Sequence, residues 1–163
     1  MTIKCKSNQS GMSAELAIQL DLCRRGYSVD IPFNRDEFYD LKFTDATGKC
    51  NMVQVKGICV DKKTGREYFK KYQKRGGSSV SNGGKARNTL NHTEKIDYFA
   101  TVRFHSSKPG SCNFDAIYFS VDDLNKQGMK VDQCSVTVSG NTWTPSDIGF
   151  YDVPSHLKPK GDK

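Results

Sequence analysis

The sequence predicts an α/β domain, and three observations carry that expectation. A helical run of apolar residues lies near the N-terminus. A series of short runs with alternating apolar residues follows it. Between those runs stand turn residues such as Thr47-Gly48 and Lys108-Pro109-Gly110. With 163 residues the chain is long enough for one domain, 1–163, with a core of its own.

Met12, Leu16, Leu20 and Cys23 recur at helical spacing and predict the core face of a helix over about 10–25, with Ser10 or Ser13 as its N-cap. Arg24 and Arg25 suit the last turn and Gly26 the C′ position. Tyr27–Ile31 alternates as a short strand. Residues 38–44 form another, with Tyr39, Leu41 and Phe43 on one face and Asp40 on the other. A turn at Asp45–Gly48 leads into a strand over 50–60, so an antiparallel hairpin is expected. In that strand Val53 and Val55 point one way, Gln54 and Lys56 the other. Ile96–Phe104 and Phe114–Phe119 are further strands. Ser120-Val121-Asp122-Asp123 opens a short helix to about Gln127, and Cys134–Val138 reads as an edge strand. Asn141–Val153 is irregular, with Trp143 packed on the sheet, and no second core is expected.

The chain carries 25 Lys and Arg against 18 Asp and Glu, a net charge of +7, which favours a polyanionic partner. The excess is local. Lys62, Lys63, Arg66, Lys70, Lys71, Lys74, Arg75, Lys85 and Arg87 lie within residues 61–92, with Asp61 and Glu67 as the acids. Tyr68, Phe69, Tyr72 and two glycine pairs are interleaved with them. The reading is a basic β-ribbon over about 66–75, a loop, and a short helix over 85–92. Such a stretch suits phosphate contact. Arg66, Arg75, Lys70, Lys74, Gln73 and Asn82 have the chemistry to reach base edges in a major groove.

Other classes are disfavoured. No signal peptide and no apolar run of about 18 residues is visible, so a soluble cytoplasmic protein without membrane contact is expected. The six cysteines form no Cys-x-x-Cys pair and no zinc spacing. They read as reduced structural thiols, with Cys23 and Cys59 in buried patterns. Gly83-Gly84-Lys85-Ala86 is no P-loop, so no nucleotide cofactor is expected. His92 lacks the partners of a ββα-metal motif, and the aromatic signature of an RNA-stacking sheet is absent.

The remaining signal is an order: an acid on a helix (Glu15), an acid on a strand (Asp40), a turn, then Gln54-Val55-Lys56 between valines. Cleaving a phosphodiester needs charge neutralisation, a placed water and a stabilised leaving oxygen. Magnesium takes oxygen ligands in an octahedron. Asp40, the Gln54 amide oxygen and the Val55 carbonyl can supply them, Glu15 can hold a water, and Lys56 can polarise one.

Gly11-Met-Ser-Ala-Glu15, Tyr39-Asp40-Leu41 and Val53-Gln54-Val55-Lys56-Gly57 together resemble the PD-(D/E)XK nuclease superfamily. Within it, the chain is most similar to small bacterial homing endonucleases encoded in group I introns, which also place Gln before x-Lys. The resemblance spans roughly residues 10–120, leaving 121–163 as an extension. It implies a restriction-endonuclease-like core, a central mixed sheet flanked by helices. It also implies intracellular, sequence-specific, Mg²⁺-dependent double-strand DNA cleavage, with Mn²⁺ substituting, by a homodimer or homotetramer. Glu15, Asp40, Gln54 and Lys56 would be catalytic. Two departures stand out: Pro32 is not adjacent to Asp40, and Gln54 removes a charge that would strengthen metal binding. Alternatives are a Holliday-junction resolvase, a restriction-type nuclease, and a nuclease-fold DNA-binding protein that does not cut.

Overall fold

A computed structural model describes residues 6–33, 38–71, 95–105, 113–130, 133–139, 142–151 and 156, with backbone alone for 6–10. Helix α1 (Lys6–Arg24) is followed by β1 (Ser28–Asp30), β2 (Leu41–Thr44), β3 (Cys50–Lys56), β4 (Cys59–Val60) and β5 (Glu67–Lys70). Then come β6 (Tyr98–Phe104), β7 (Phe114–Ser120), α2 (Val121–Lys126) and β8 (Ser135–Thr137). Five strands form a mixed sheet in the order β1-β2-β3-β6-β7, and β4-β5-β8 form a smaller sheet. Among the described strands only β3 and β6 pair in parallel, with Gln54 opposite Phe99 and Lys56 opposite Thr101. An α/β core built on a mixed sheet is thus present, as expected.

Alternation along the strands divides the core between the two faces of this sheet. Leu41, Phe43, Val53, Val55, Ala100, Val102 and Tyr118 face α1, which buries Ala14, Ala17, Ile18 and Leu22 against them. Phe99 and Phe119 face the other way and pack with Phe69, Leu124, Val136 and Trp143. A second apolar cluster therefore exists where one was not expected, and the region after residue 121 completes it through α2, β8 and Trp143.

Several expectations need correction. The helix begins at Lys6, so Ser10 and Ser13 lie inside it rather than at its N-cap. Its packed face is not Met12, Leu16, Leu20 and Cys23: all four are exposed, and Ala14, Ile18 and Leu22 on the opposite side are buried. Cys59 is exposed as well. The strand over 50–60 breaks at Gly57-Ile58, and Cys59-Val60 pairs with β5 in the small sheet. A basic hairpin spans β4 and β5, with its tip at 61–66, and residues 72–75 of the expected ribbon lie outside the described residues. Asp61 Oδ1 builds that tip by accepting from the Lys63 and Thr64 N–H groups at 2.8 and 2.9 Å, and Gly65 takes φ +68°.

Other expectations hold. Ser120 caps α2, its hydroxyl accepting from the Asp123 N–H at 3.3 Å. Trp143 is buried, and β8 is the edge strand of the small sheet. Residues 146–151 run along β7 and α1. Ser146 N–H donates to the Tyr118 carbonyl at 2.7 Å, and Tyr151 N–H to the Arg25 carbonyl at 2.7 Å. That covers an otherwise open sheet edge. Among the described residues no helix is long and apolar enough to cross a membrane.

Candidate active site

The site is built where β2 begins and β3 ends. Leu41 is paired with Val53, yet the Asp40 N–H also donates to the Val53 carbonyl, at 2.9 Å. The ladder ends at this pair, and Asp40, one residue before β2, is tied to the same Val53 carbonyl. The Asp40 carboxylate turns onto the next free backbone group of β3. Its Oδ2 accepts from the Val55 N–H at 2.7 Å. The side chain thereby takes the place of a ladder partner that β2 does not supply. The N–H and C=O of one strand residue leave the chain on the same side, so the Val55 carbonyl also points towards Asp40.

Lys56 follows directly, with its charge coupled to that of Asp40. Burial pushes the Asp40 carboxyl up from its ordinary value, and the Val55 N–H and the Lys56 charge pull it partly back. Burial pushes the Lys56 ammonium down, and Asp40 opposes this. Both groups are held in surroundings that disfavour their charges, as at sites that bind a charged substrate or a metal. Gln54 is half-buried on the Lys56 face. Asp40, Val55 and Lys56 are thus brought together, with Gln54 beside them.

Glu15 is half-buried on α1, the helix packed on the Val53 and Val55 face of the sheet. Its neighbour Ala14 lines an open cavity of about 310 Å³ with Gly57, Ile58, Glu67, Val102, Arg103 and Phe104. That cavity lies at the end of β3 where Lys56 terminates. The Glu67–Arg103 pair on its wall has no signature in residue order. Arg103 Nε reaches both Glu67 carboxylate oxygens, at 3.1 and 3.0 Å, and holds that carboxyl below its usual range. Only the pairing of β5 with β8 and the placement of β6 bring these two residues together.

Asp40 Oδ1 accepts no hydrogen bond from the described residues, and neither does the Gln54 amide oxygen. One carboxylate oxygen, one amide oxygen and one backbone carbonyl form a hard-donor set that fits a small divalent cation retaining several waters. Among the described residues no three His, Cys, Asp or Glu side chains converge, so such an ion would rely on these neutral oxygens beside Asp40.

The cationic residues divide. Lys62, Lys63, Arg66 and Lys70 are exposed on the hairpin that leaves the site through Gly57. Lys71 is not available for nucleic-acid contact. It is 3% exposed, its backbone N–H donates to the Cys134 carbonyl at 2.8 Å, and its ammonium is turned towards the Lys130 carbonyl. Gln73, Lys74, Arg75, Asn82, Lys85 and Arg87, with the expected helix over 85–92, lie outside the described residues.

A helix-backed mixed sheet thus carries a half-buried carboxylate, an amide and a lysine at one strand end. Residues 5–108 match the family described as PD-(D/E)XK endonuclease, and the chain belongs to that family. It is therefore an endonuclease acting on DNA, in a family whose members generally use divalent metal ions. The fold is similar to that of a bacterial homing endonuclease, I-Ssp6803I. The TM-score is 0.52 at 18% identity, over 83% of this chain and 77% of that one. No curated protein matches the sequence.

Proposed function

We propose that this chain is a sequence-specific homing-type endonuclease that cuts both strands of duplex DNA and depends on Mg²⁺, with Mn²⁺ as a substitute. The observation that carries the reading is the Asp40 carboxylate, set at the start of β2 and braced on the Val55 N–H beside Lys56. Asp40, Gln54 and the Val55 carbonyl would hold the ion, with Glu15 adding a carboxylate from α1. When bound, the ion supplies charge neutralisation at the scissile phosphate. Asp40 fixes the position of that charge because its other oxygen is already committed to the backbone. Lys56 provides a cation at the end of β3. With its ammonium pushed down by burial, it yields a proton more readily than an exposed lysine and can orient the attacking water. Lys62, Lys63, Arg66 and Lys70 draw the phosphate backbone towards the same end of the sheet. Likeness in fold to a homing endonuclease supports the homing-type reading.

The test incubates the full chain with a randomised duplex library, with and without Mg²⁺, beside Asp40→Asn. Metal-dependent cuts at one long site, absent in the variant while binding stays within about 1–2 kcal/mol, are expected. Cleavage by Asp40→Asn at the parent rate would refute the assignment of the site.

A further inference from the structure

Alternation sorts the side chains of the small sheet. Phe69 and Val136 are partners across β5 and β8, and both are fully buried with Phe99 and Phe119. Tyr68 with Thr137 and Lys70 with Ser135 are the pairs on either side, so these four side chains lie on the opposite, outer face. Cys59 of β4 pairs with Tyr68 and shares that face, and Arg66 continues the row of Tyr68 and Lys70 by period 2. Glu67 is the one acid of these three strands, and it is turned the other way, where Arg103 holds it. The outer face is thus two cations, three hydroxyls and a thiol, with no carboxylate. Among the described residues no hydrogen bond engages the hydroxyls of Tyr68, Ser135 and Thr137.

We propose that this outer face enters the major groove of the duplex, and that β8 supplies sequence specificity through Ser135 and Thr137, with Tyr68 beside them. The proposal rests on the sequence-specific reading above and gives it residues. Because β8 lies beyond residues 5–108, these residues are no part of the family match. Charge and position both favour DNA as the occupant. A face with cations and no acid suits a polyanion. Gln54 and Lys56 pair with Phe99 and Thr101 of β6, and Phe99 is packed under the small sheet. The outer face therefore looks out on the same side as the candidate active site. Cys59 stands three residues after Lys56, at most about 11 Å along the chain, so one duplex can meet both. The spacing fits as well. Successive rows on one face of a strand are about 6.8 Å apart, which is two base-pair steps of about 3.4 Å. A two-stranded antiparallel ribbon, here β5 with β8, is what the major groove admits. Lys62, Lys63, Arg66 and Lys70 hold phosphates, as above, and the hydroxyls beside them meet base edges. Ser and Thr hydroxyls can donate to or accept from bases, and the Thr137 methyl can pack on that of thymine.

Selection of binders from a randomised duplex pool by the full chain tests this. It is run in Ca²⁺ and again in EDTA, so that binding is read apart from Mg²⁺-dependent cutting. The parent is expected to enrich one motif. Thr137→Val keeps the shape and strand preference of threonine, and Ser135→Ala changes an exposed position, so both should melt as the parent does. Each is expected to relax the motif at one or two positions. Each should bind the parent's motif about fivefold or more weakly, with its affinity for random-sequence duplex unchanged. Lys62→Ala, by contrast, should weaken both duplexes alike. Variants of β8 that keep the parent's preference at every position overturn the proposal, and so does a loss shared equally by motif and random duplex. A parent that enriches no motif in either condition overturns it together with the sequence-specific reading. A motif that the variants relax, but that is never cut in Mg²⁺, upholds this face and refutes only the proposed cleavage.

Discussion

Phe69→Ala probes how the basic hairpin is fixed to the catalytic sheet. Phe69 is fully buried, with its ring centroid 5.6 Å from that of Phe99 and 5.5 Å from that of Phe119. These are the tilted aromatic contacts that add to simple burial. Truncating a fully buried Phe costs about 3–5 kcal/mol, and here the cavity would open between the small sheet and the central one. For a chain of this size, each kcal/mol lowers Tm by about 2–4 °C, so a fall of roughly 6–20 °C is expected. Urea unfolding followed by Trp143 fluorescence is the suitable assay, because Trp143 is the only tryptophan and belongs to the same cluster. DNA affinity should fall with it, since β5 carries Lys70 and closes the tip that bears Lys62, Lys63 and Arg66. A destabilisation below about 1 kcal/mol would show that Phe69 does not anchor the hairpin, and the reasoning from its burial would be wrong.

Four further outcomes are expected. Burial raises the Asp40 carboxyl, so the ligand is lost as pH falls through a value above its usual 3.8, and the acid limb of the cleavage-rate profile should lie above that of an ordinary aspartate. The folded chain then binds that proton more tightly than the unfolded one. Ionising Asp40 thus costs stability above its raised pKa and nothing below 3.8, so Asp40→Asn should melt higher than the parent at neutral pH but not at strongly acid pH. Thr101, opposite Lys56, buries its hydroxyl with no hydrogen-bond partner among the described residues. Thr101→Val should gain about 1 kcal/mol, visible as a Tm higher by about 2–4 °C. Replacing Lys62, Lys63 and Arg66 together by Ala should lower the slope of log binding constant against log salt by about 0.9 for each phosphate no longer neutralised, measured by titration with duplex DNA.

Much of this architecture was legible in local pattern. The β2–β3 hairpin, β6, β7 and the capped helix α2 follow from alternation, turn residues and Ser120. Asp40, Gln54 and Lys56 were legible through their order. The face of α1 was not, because Met12-Leu16-Leu20 and Ala14-Ile18-Leu22 are both apolar at helical spacing. Periodicity cannot say which of two such stripes packs within its own chain. The break at Gly57 was hidden for a similar reason: Ile58, Cys59 and Val60 continue an apolar run while changing sheets. Lys71 looked like one more cation of a charged stretch. It is buried because β8, far downstream in the chain, pairs with β5 beside it. Alternation placed Asp40 across from Leu41, but the turn of its carboxylate onto the Val55 N–H is a matter of hydrogen-bond register, which residue types do not encode.

The closing of the small sheet by β8 has a consequence for synthesis. Lys56 leaves the ribosome roughly 80 residues before the strand that holds the basic hairpin in place, an interval of about 4–16 s at ordinary elongation rates. Through that interval Asp40 and Lys56 can already be neighbours across the β2–β3 hairpin. Yet β5 has no outer partner, and Phe69 lacks Val136 and Trp143. Pairings so distant in sequence form late in folding. A half-made chain therefore holds Asp40 and Lys56 together before the basic hairpin is fixed, and the order of assembly delays a complete DNA-binding surface until the C-terminal third has folded.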